Sequence, residues 1–314
     1  MPESSQLVTS VSPAWTLLAA AILGLLVVFG AVLSSVLTAR SEGASAGAIA
    51  GPFSECARLM RQRRRTTISA DSLLWRIGGA GLVVTALLMV AVVPFGHWTI
   101  ADLDVGIVWF NAMDVMVWAL VWLVGWGPNS AYSLIGGYRF LAYGLGYELP
   151  LMFALVAPAI AASSLNVGTV AAAQQDLWFV VWMPVAFGVY CLGVVAFSVW
   201  GPFAAALADD LAGGVAAELS GVDRLLFQAG RYALLAAGAA FAVPLFLGGG
   251  AGPLLPDWVW SLVKTALLLA ALVWVRRRMP TLRPDTFMEL GWVVLLPAVL
   301  VQDLVVAVVA VWRA

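Results

Sequence analysis

The chain has 314 residues, of which 63% are hydrophobic and only 11% charged, and its formal net charge is −1. Soluble domains carry roughly 25% charged residues and must present polar groups to water, so this composition excludes an ordinary soluble protein and favours one that lies in lipid. The cysteines Cys56 and Cys191 and the single histidine His97 have no metal-ligand spacing. We therefore expect no disulfide framework, metal or haem centre in this chain, and no nucleic-acid partner.

Eight long apolar runs follow one another along the chain, and each could cross a hydrocarbon layer of about 30 Å as a helix. The predicted spans are residues 14–38, a run from Arg76 to His97, residues 105–126, a run after Arg139, residues 177–207, a run from Arg231 to about Leu255, residues 258–275 and a run after Glu289. These runs are continuously apolar rather than alternating, which argues against barrel strands. The first run is too long for a signal-peptide core, so we expect it to remain as a helix. The sequence predicts an all-α, polytopic membrane protein that forms a single membrane domain over residues 1–314.

The arginines predict the orientation of these spans. With eight spans, the loops after spans 1, 3, 5 and 7 lie on one side, and that side collects Arg40, Arg58, Arg61, Arg63, Arg64, Arg65, Arg76, Arg139, Arg224, Arg231, Arg276, Arg277, Arg278 and Arg283. The other side holds only Arg313. Because loops rich in Lys and Arg stay in the cytoplasm, we expect a multi-pass protein of the cell membrane with both termini on the outer face.

The first loop, residues 39–74, contains an amphipathic segment. Glu55, Arg58 and Gln62 have helical spacing on one side, and Pro52 fits the first turn of a helix. The pattern predicts a helix that lies on the cytoplasmic surface. Two roles stay open: an anchor whose arginines bind lipid phosphates, and a docking platform for a cytoplasmic partner.

Four ionisable residues interrupt the apolar runs: Asp114, Glu148, Lys264 and Asp303. A charge in the middle of a membrane helix costs about 2.5–3.5 kcal/mol on insertion scales. Each residue could instead lie near a span end, extend its charge to the interface or be neutral. That simple explanation stays open for all four, and most clearly for Lys264 and Asp303.

Glu148 is the candidate for proton handling that the residues favour most. If Arg139 marks the cytoplasmic end of its helix, Glu148 lies ~13 Å deeper and on the opposite helix face. It therefore needs a partner on another helix, a water-filled cavity or a proton. Asn111, Asp114 and Trp118 share one helix face at i, i+3 and i+7; that face is expected to turn inward, although a polar patch could also serve only to join helices.

Two segments resemble the subunit 1 (H-type) family of respiratory complex I. The family pattern G-W-x-S-N-S-K-Y-x-L-L-G-x-L-R, followed by S-Y-E, is matched by Gly125, Trp126, Asn129, Ser130, Tyr132, Leu134, Gly136, Arg139, Tyr147 and Glu148. The family's second pattern, R-x-x-x-P-R-x-R-x-D-x-x-M-x-x-x-W-K-x-L-L-P, is matched by Pro280, Arg283, Asp285, Met288, Trp292 and Pro297. Lys264 also matches a lysine of the family's seventh helix.

The loop between spans 5 and 6, predicted over residues 208–230, departs from the family. There the family has A-E-T-N-R-x-P-F-D-x-x-E, which builds the quinone chamber and begins an acidic proton path. Here the N-R-x-P-F-D core is absent and the loop is shorter. Asp209 is the candidate for the first family glutamate and Glu218 for a later one, and the chain is identified as a divergent member.

The resemblance implies a membrane subunit of a proton-translocating NADH-quinone oxidoreductase. Such a chain binds no cofactor itself; quinone is the substrate of the complex, and FMN and iron–sulfur clusters lie in partner subunits, both membrane and hydrophilic. The implied proton-coupling candidates are Glu148, Asp209, Glu218 and Asp114. The implied residues of the quinone side or partner interface are Arg40, Arg58, Arg139, Arg283 and Asp285.

Two alternatives remain open at the level of the sequence. One is the membrane subunit of an energy-converting [NiFe] hydrogenase-type complex, which would share the fold without needing quinone. The other is a transporter-like paralogue without quinone chemistry. Both are motivated by the altered loop between spans 5 and 6.

Overall fold

A computed structural model of the chain describes residues 8–43, 47–207 and 213–313. The helices are α1 (Thr16–Ser41), α2 (Gly51–Arg61), α3 (Ser72–Val90), α4 (Gly106–Trp126), α5 (Ala131–Ala162), α6 (Val167–Ala172), α7 (Phe179–Trp182), α8 (Pro184–Phe197), α9 (Gly221–Phe246), α10 (Asp257–Val275), α11 (Pro284–Leu290) and α12 (Leu296–Arg313). Two short strands, β1 (Thr9–Ser10) and β2 (Trp98–Thr99), pair in parallel. Asp209, a predicted coupling residue, lies outside the described residues.

Within the described ranges, eight helical segments are long and apolar enough to cross a membrane. They are Pro13–Ser41, Ser72–Val90, Gly106–Trp126, Ala131–Ala162, Pro184–Ala206, Gly221–Phe246, Asp257–Val275 and Pro284–Trp312. The predicted all-α, polytopic membrane fold is therefore confirmed. The last span is one continuous helix in which α11 and α12 are joined by a π-helical turn, Gly291–Leu295.

Several span boundaries differ from those predicted: the second span is Ser72–Val90, the fifth begins at Pro184, the sixth ends at Phe246 and the last begins at Pro284. Two further differences concern arginines. The sequence analysis placed Arg139 and Arg231 at span ends, but α5 begins at Ala131 and α9 at Gly221. Both arginines lie inside helices because backbone carbonyls of the chain accept hydrogen bonds from their guanidinium groups. The later part of the loop predicted over residues 208–230 is consequently helical.

The bundle is arranged around α9. Buried residues make up 89% of the most apolar stretch of α9, against 11% in the first span and 17% in the last. Small residues allow this close packing: a Cβ at Gly230 would lie 2.5 Å from the Cβ of Leu82, and one at Gly238 would lie 2.5 Å from a methyl group of Val194. Membrane helices commonly approach through such small residues, so α9 is the central helix and the first and last spans are peripheral.

The segment after the first span contains the predicted amphipathic helix, α2. Pro52 lies in its first turn, where a missing amide hydrogen removes no helical hydrogen bond. Leu59 is buried, whereas Phe53 and Met60 are exposed. The chain then enters α3 through Asp71, whose carboxylate accepts hydrogen bonds from two amides of the first turn and so caps the helix.

Candidate functional site

Two carboxyl groups meet inside the bundle, one from α4 and one from α5. Asp114 is completely buried, on the face of α4 that also buries Phe110 and Val117. Glu148 is half-buried near the middle of α5, and its carboxyl group adjoins that of Asp114. The depth of both residues in long apolar helices places this carboxyl pair within the membrane.

The carboxyl pair is surrounded by neutral hydrogen-bonding groups. Asn111 Nδ2 donates to Glu148 Oε1 over 3.2 Å. Trp118 Nε1 donates to the Tyr147 hydroxyl over 2.8 Å, and this hydroxyl faces Asp114. Among the described residues, neither oxygen of Asp114 has a hydrogen-bond partner of standard geometry, and Glu148 Oε2 has none. Two adjacent acceptors without a donor between them leave room for one proton.

These contacts bring together the residues that periodicity placed on one helix face. Asn111 and Asp114 both reach Glu148, so the partner that Glu148 needs comes from α4. Trp118 supports the site indirectly, through Tyr147. The pair is also close to the outer surface of the bundle, because Val115 on α4 and Leu145 on α5 are exposed beside it.

Glu218 and Arg139, two further predicted site residues, lie where three loops meet on the arginine-rich side, defined by the loops after spans 1, 3, 5 and 7. Arg139 Nη1 donates to the carbonyls of Ala205 and Gly213 over 3.2 and 2.9 Å. Glu218 accepts a hydrogen bond of 2.8 Å from the Ser130 hydroxyl. Arg139 therefore holds the loop between α8 and α9 against α5, and Glu218 fastens the same loop to the start of α5.

The other predicted interface residues lie on the surface. Arg40 is exposed at the end of α1. Arg283 pairs with Asp285 over 3.0 Å, with 83% and 64% of their side chains exposed. Exposed ion pairs contribute about 0–1 kcal/mol to stability, so these charged groups are free to serve recognition at little cost to the fold.

Arg58 lies on the outer side of α2 and pairs with Glu55 over 2.5 Å. Its hydrogen bond is the main cause that lowers the pKa of the Glu55 carboxyl below its usual value. The proximity of the two charges on successive turns is the i, i+3 geometry expected on a helix surface. Glu55 and Arg58 therefore partly satisfy each other within α2.

Sequence reasoning missed a stack of two arginines on one tryptophan. The guanidinium carbons of Arg231 and Arg276 lie 3.5 and 3.6 Å from the ring centroid of Trp200, and the two arginines are only 2% and 4% exposed. Arg276 also donates to the hydroxyls of Ser34 and Tyr232 over 3.0 and 3.4 Å. The sequence analysis treated both residues only as charges of loops. The available signal for a buried arginine was the position of Arg231 inside a long run without other charges.

Lys264 and Asp303, the remaining charges in the apolar runs, have different surroundings. Lys264 Nζ donates to the carbonyls of Leu247, Gly249 and Ala251 over 2.7, 2.9 and 2.8 Å. It therefore fixes the turn that follows α9, which is a structural role. Asp303 is 8% exposed, and neither of its oxygens has a hydrogen-bond partner among the described residues.

Metal-binding chemistry has no candidate in the described ranges: no group of three or more His, Cys, Asp or Glu side chains there could hold a metal ion.

Comparison with known proteins places the chain among respiratory membrane subunits. A family model described as NADH dehydrogenase matches residues 10–307. The second H-type subunit of NADH-quinone oxidoreductase from Geobacter sulfurreducens is 35% identical over 265 residues, which cover 81% of this chain and 80% of that protein. The protein of the same name from Syntrophobacter fumaroxidans is 34% identical over 83% of this chain and 82% of its own length. The H-type subunit from Geobacillus kaustophilus is 33% identical over 78% and 75%.

Proposed function

The chain belongs to the NADH dehydrogenase family, and on that basis we propose that it is the H-type membrane subunit of a proton-translocating NADH-quinone oxidoreductase. In this role it contributes to the quinone site and couples quinone reduction to proton pumping. It carries no redox centre; FMN and iron–sulfur clusters belong to partner subunits. The names of its relatives support this function over the hydrogenase-type and transporter-like alternatives.

The carboxyl pair of Asp114 and Glu148 is the observation that carries the coupling role. Two unit charges about 4 Å apart repel by about 4 kcal/mol at an effective dielectric constant of 20. Among the described residues, the groups that surround the pair, Asn111, Trp118 and Tyr147, are all uncharged, so they do not offset this repulsion. One proton between the carboxyl groups removes it and supplies the missing donor. The pair is thus suited to hold a proton and to release it when a nearby charge or helix moves.

Helix α5 connects this pair to the arginine-rich side. Arg139 and Glu148 lie in the same helix, ~13 Å apart along its axis, and Arg139 is bonded to the loop between α8 and α9. That loop also carries Asp209 and Glu218, the two further coupling candidates. A displacement of the loop, such as one caused by quinone binding in the complex, would therefore act directly on α5.

We place the quinone-side and partner surface on the arginine-rich side, which we take to be cytoplasmic, with both termini on the outer face. Arg40, Arg58, Arg283 and Asp285 are the surface residues that would meet the hydrophilic subunits. Arg139 stays a candidate for this surface, and its guanidinium group also donates to two carbonyls of the loop between α8 and α9. The remaining contacts of the chain are with other membrane subunits and the lipid bilayer.

The experiment that tests this function is purification of the complex through a tag on this chain. Mild detergent extraction followed by mass spectrometry should recover quinone-reductase subunits, and the preparation should oxidise NADH with a quinone as acceptor. Recovery of hydrogenase subunits with hydrogen-dependent activity would favour the hydrogenase-type alternative. Recovery of this chain alone, with no NADH oxidation, would contradict membership in either complex.

A further inference from the structure

The π-helical turn of the last span contacts α5 through two of its own consecutive residues, Gly291 and Trp292. A Cβ added to Gly291 would lie 2.2 Å from the carbonyl oxygen of Gly146, so only glycine allows this approach. The next residue, Trp292, donates from its indole Nε1 to the carbonyl of Leu145 over 3.1 Å. Two neighbouring residues of one helix thus contact two neighbouring backbone groups of the other.

The turn of α5 that is contacted in this way lacks one of its backbone hydrogen bonds. Pro150 lies inside α5 and has no amide hydrogen, so the carbonyl of Gly146 lacks its donor four residues on. Tyr147 and Glu148 lie within this interrupted turn. In membranes, helices that contain proline depend on neighbouring helices to compensate for such gaps. Gly291 packs against this freed carbonyl, and Trp292 donates to the preceding one, that of Leu145, so the π-helical turn meets α5 at the gap.

A second set of contacts fixes the start of the same span, and the loop just before it, to α5 about one turn earlier. The Tyr143 hydroxyl donates to the carbonyl of Leu282 over 2.5 Å. The ring centroids of Tyr143 and Phe287 lie 6.0 Å apart, and the two ring planes are inclined at 64°. With α11 held in this way, Trp292 adds a side-chain hydrogen bond from the last span to the backbone beside the interrupted turn.

We propose that Trp292 is a positioning residue, which holds the interrupted turn of α5 in the rotation that points Glu148 toward Asn111 and Asp114. Gly291 serves this contact by allowing the two backbones to meet. π-Helical turns are frequent at functional sites, and this one lies beside the carboxyl pair. The effect on proton coupling rests on the proposed function, whereas the effect on α5 does not.

The effect of the Trp292 hydrogen bond can be separated from the effect of its packing by substitution. The side chain is 49% exposed, so it contributes little to the core. Trp292→Phe keeps an aromatic ring but removes the donor together with part of the ring system, and the same loss of ring atoms occurs in the control below. Trp312→Phe is the matched control, because Trp312 belongs to the same span and is 86% exposed.

Hydrogen–deuterium exchange of the purified complex tests the effect on α5. Loss of one hydrogen bond, worth about 1 kcal/mol, should speed amide exchange across residues 143–150 about fivefold in Trp292→Phe. Trp312→Phe should leave this peptide unchanged. Exchange at the parent rate in Trp292→Phe would show that the tryptophan positions nothing.

Proton pumping in proteoliposomes tests the consequence for Glu148. At equal amounts of assembled complex, Trp292→Phe should lower the number of protons moved per NADH oxidised at least about twofold and shift its pH profile, since Glu148 loses its fixed orientation. A lower amount of complex with an unchanged ratio and profile would show a merely structural role and overturn the proposal. If exchange rises while Glu148→Gln itself pumps normally, the positioning stands and the proposed coupling function fails.

Gly291→Ala gives an independent test of the same contact. Its Cβ would collide with backbone rather than with a flexible side chain, so the two helices must separate and exchange across residues 143–150 should exceed that of Trp292→Phe. Gly24→Ala is the control, because nothing lies within 4 Å of a Cβ at Gly24. If Gly291→Ala assembles and its amide exchange across residues 143–150 equals that of the parent, the proposed contact between the two helices is contradicted.

Discussion

Glu148→Gln is the change that tests the carboxyl pair most directly. Glutamine has nearly the shape of glutamate, so it can still accept the hydrogen bond that Asn111 donates to Glu148. Its amide can also donate to Asp114, neither of whose oxygens has a hydrogen-bond partner of standard geometry among the described residues. The substitution therefore preserves or improves local hydrogen bonding while it removes titration from one member of the pair.

The size of the effect follows from the repulsion within the pair. A repulsion of about 4 kcal/mol between two carboxylates changes a protonation equilibrium by about three orders of magnitude. In Glu148→Gln this repulsion is absent, and Asp114 is the one titratable carboxyl group left in the pair. We expect assembly within about twofold of the parent and proton translocation reduced at least about tenfold, because the repulsion that would pass a proton between the two carboxyl groups is lost. Glu148→Asp should lose less, since aspartate still titrates.

The assay compares proton uptake and NADH oxidation in proteoliposomes that hold equal amounts of assembled complex. Glu289→Gln is the matched control, because Glu289 lies at the surface of α11 and the same atoms change. If Glu148→Gln pumps protons like the parent at equal assembly, Glu148 only packs helices and the argument from charge repulsion is refuted.

Two further predictions address stability and topology. Lys264→Met should destabilise the complex by about 3 kcal/mol, because three carbonyls lose their donor; thermal inactivation checks this, and a midpoint equal to that of the parent would show that the turn after α9 holds without the lysine. In intact cells with Cys56 and Cys191 replaced by Ser, a membrane-impermeant maleimide should label Asp104→Cys but not Arg63→Cys; the reverse pattern would invert the proposed orientation.

The eight spans could be predicted from sequence because the length of an apolar run fixes whether a helix can cross lipid. Their boundaries could not, since Arg139 and Arg231 resemble interface residues unless their acceptors are known. Those acceptors are backbone carbonyls of a loop and a turn distant in sequence. A charged residue in a membrane protein thus marks the end of a span only where no group of the chain itself forms a hydrogen bond or ion pair with it.

The candidate site, like the spans, could be predicted only in part from the sequence. Helical periodicity placed Asn111, Asp114 and Trp118 on one face, and depth identified Glu148 as a charge in need of a partner. Periodicity does not reveal which helix a face meets, so the pairing of Asp114 with Glu148 required the structure. The stack of Arg231 and Arg276 on Trp200 joins three separate segments, and its one local signal is the position of Arg231 inside a long run without other charges.

The contacts of α5 explain why the interrupted turn affects the direction of Glu148 more than a proline alone would. On the arginine-rich side of Glu148, Arg139 fastens α5 to the loop between α8 and α9. Beyond it, Pro150 removes the hydrogen bond that would join the two halves of the helix. Glu148 lies between these points, so its direction depends on both halves of α5 rather than on one rigid rod. A helix built in this way converts a shift of the loop into a rotation of Glu148 relative to Asp114, provided that an outside contact sets its resting position. Trp292 makes such a contact close by, at Leu145.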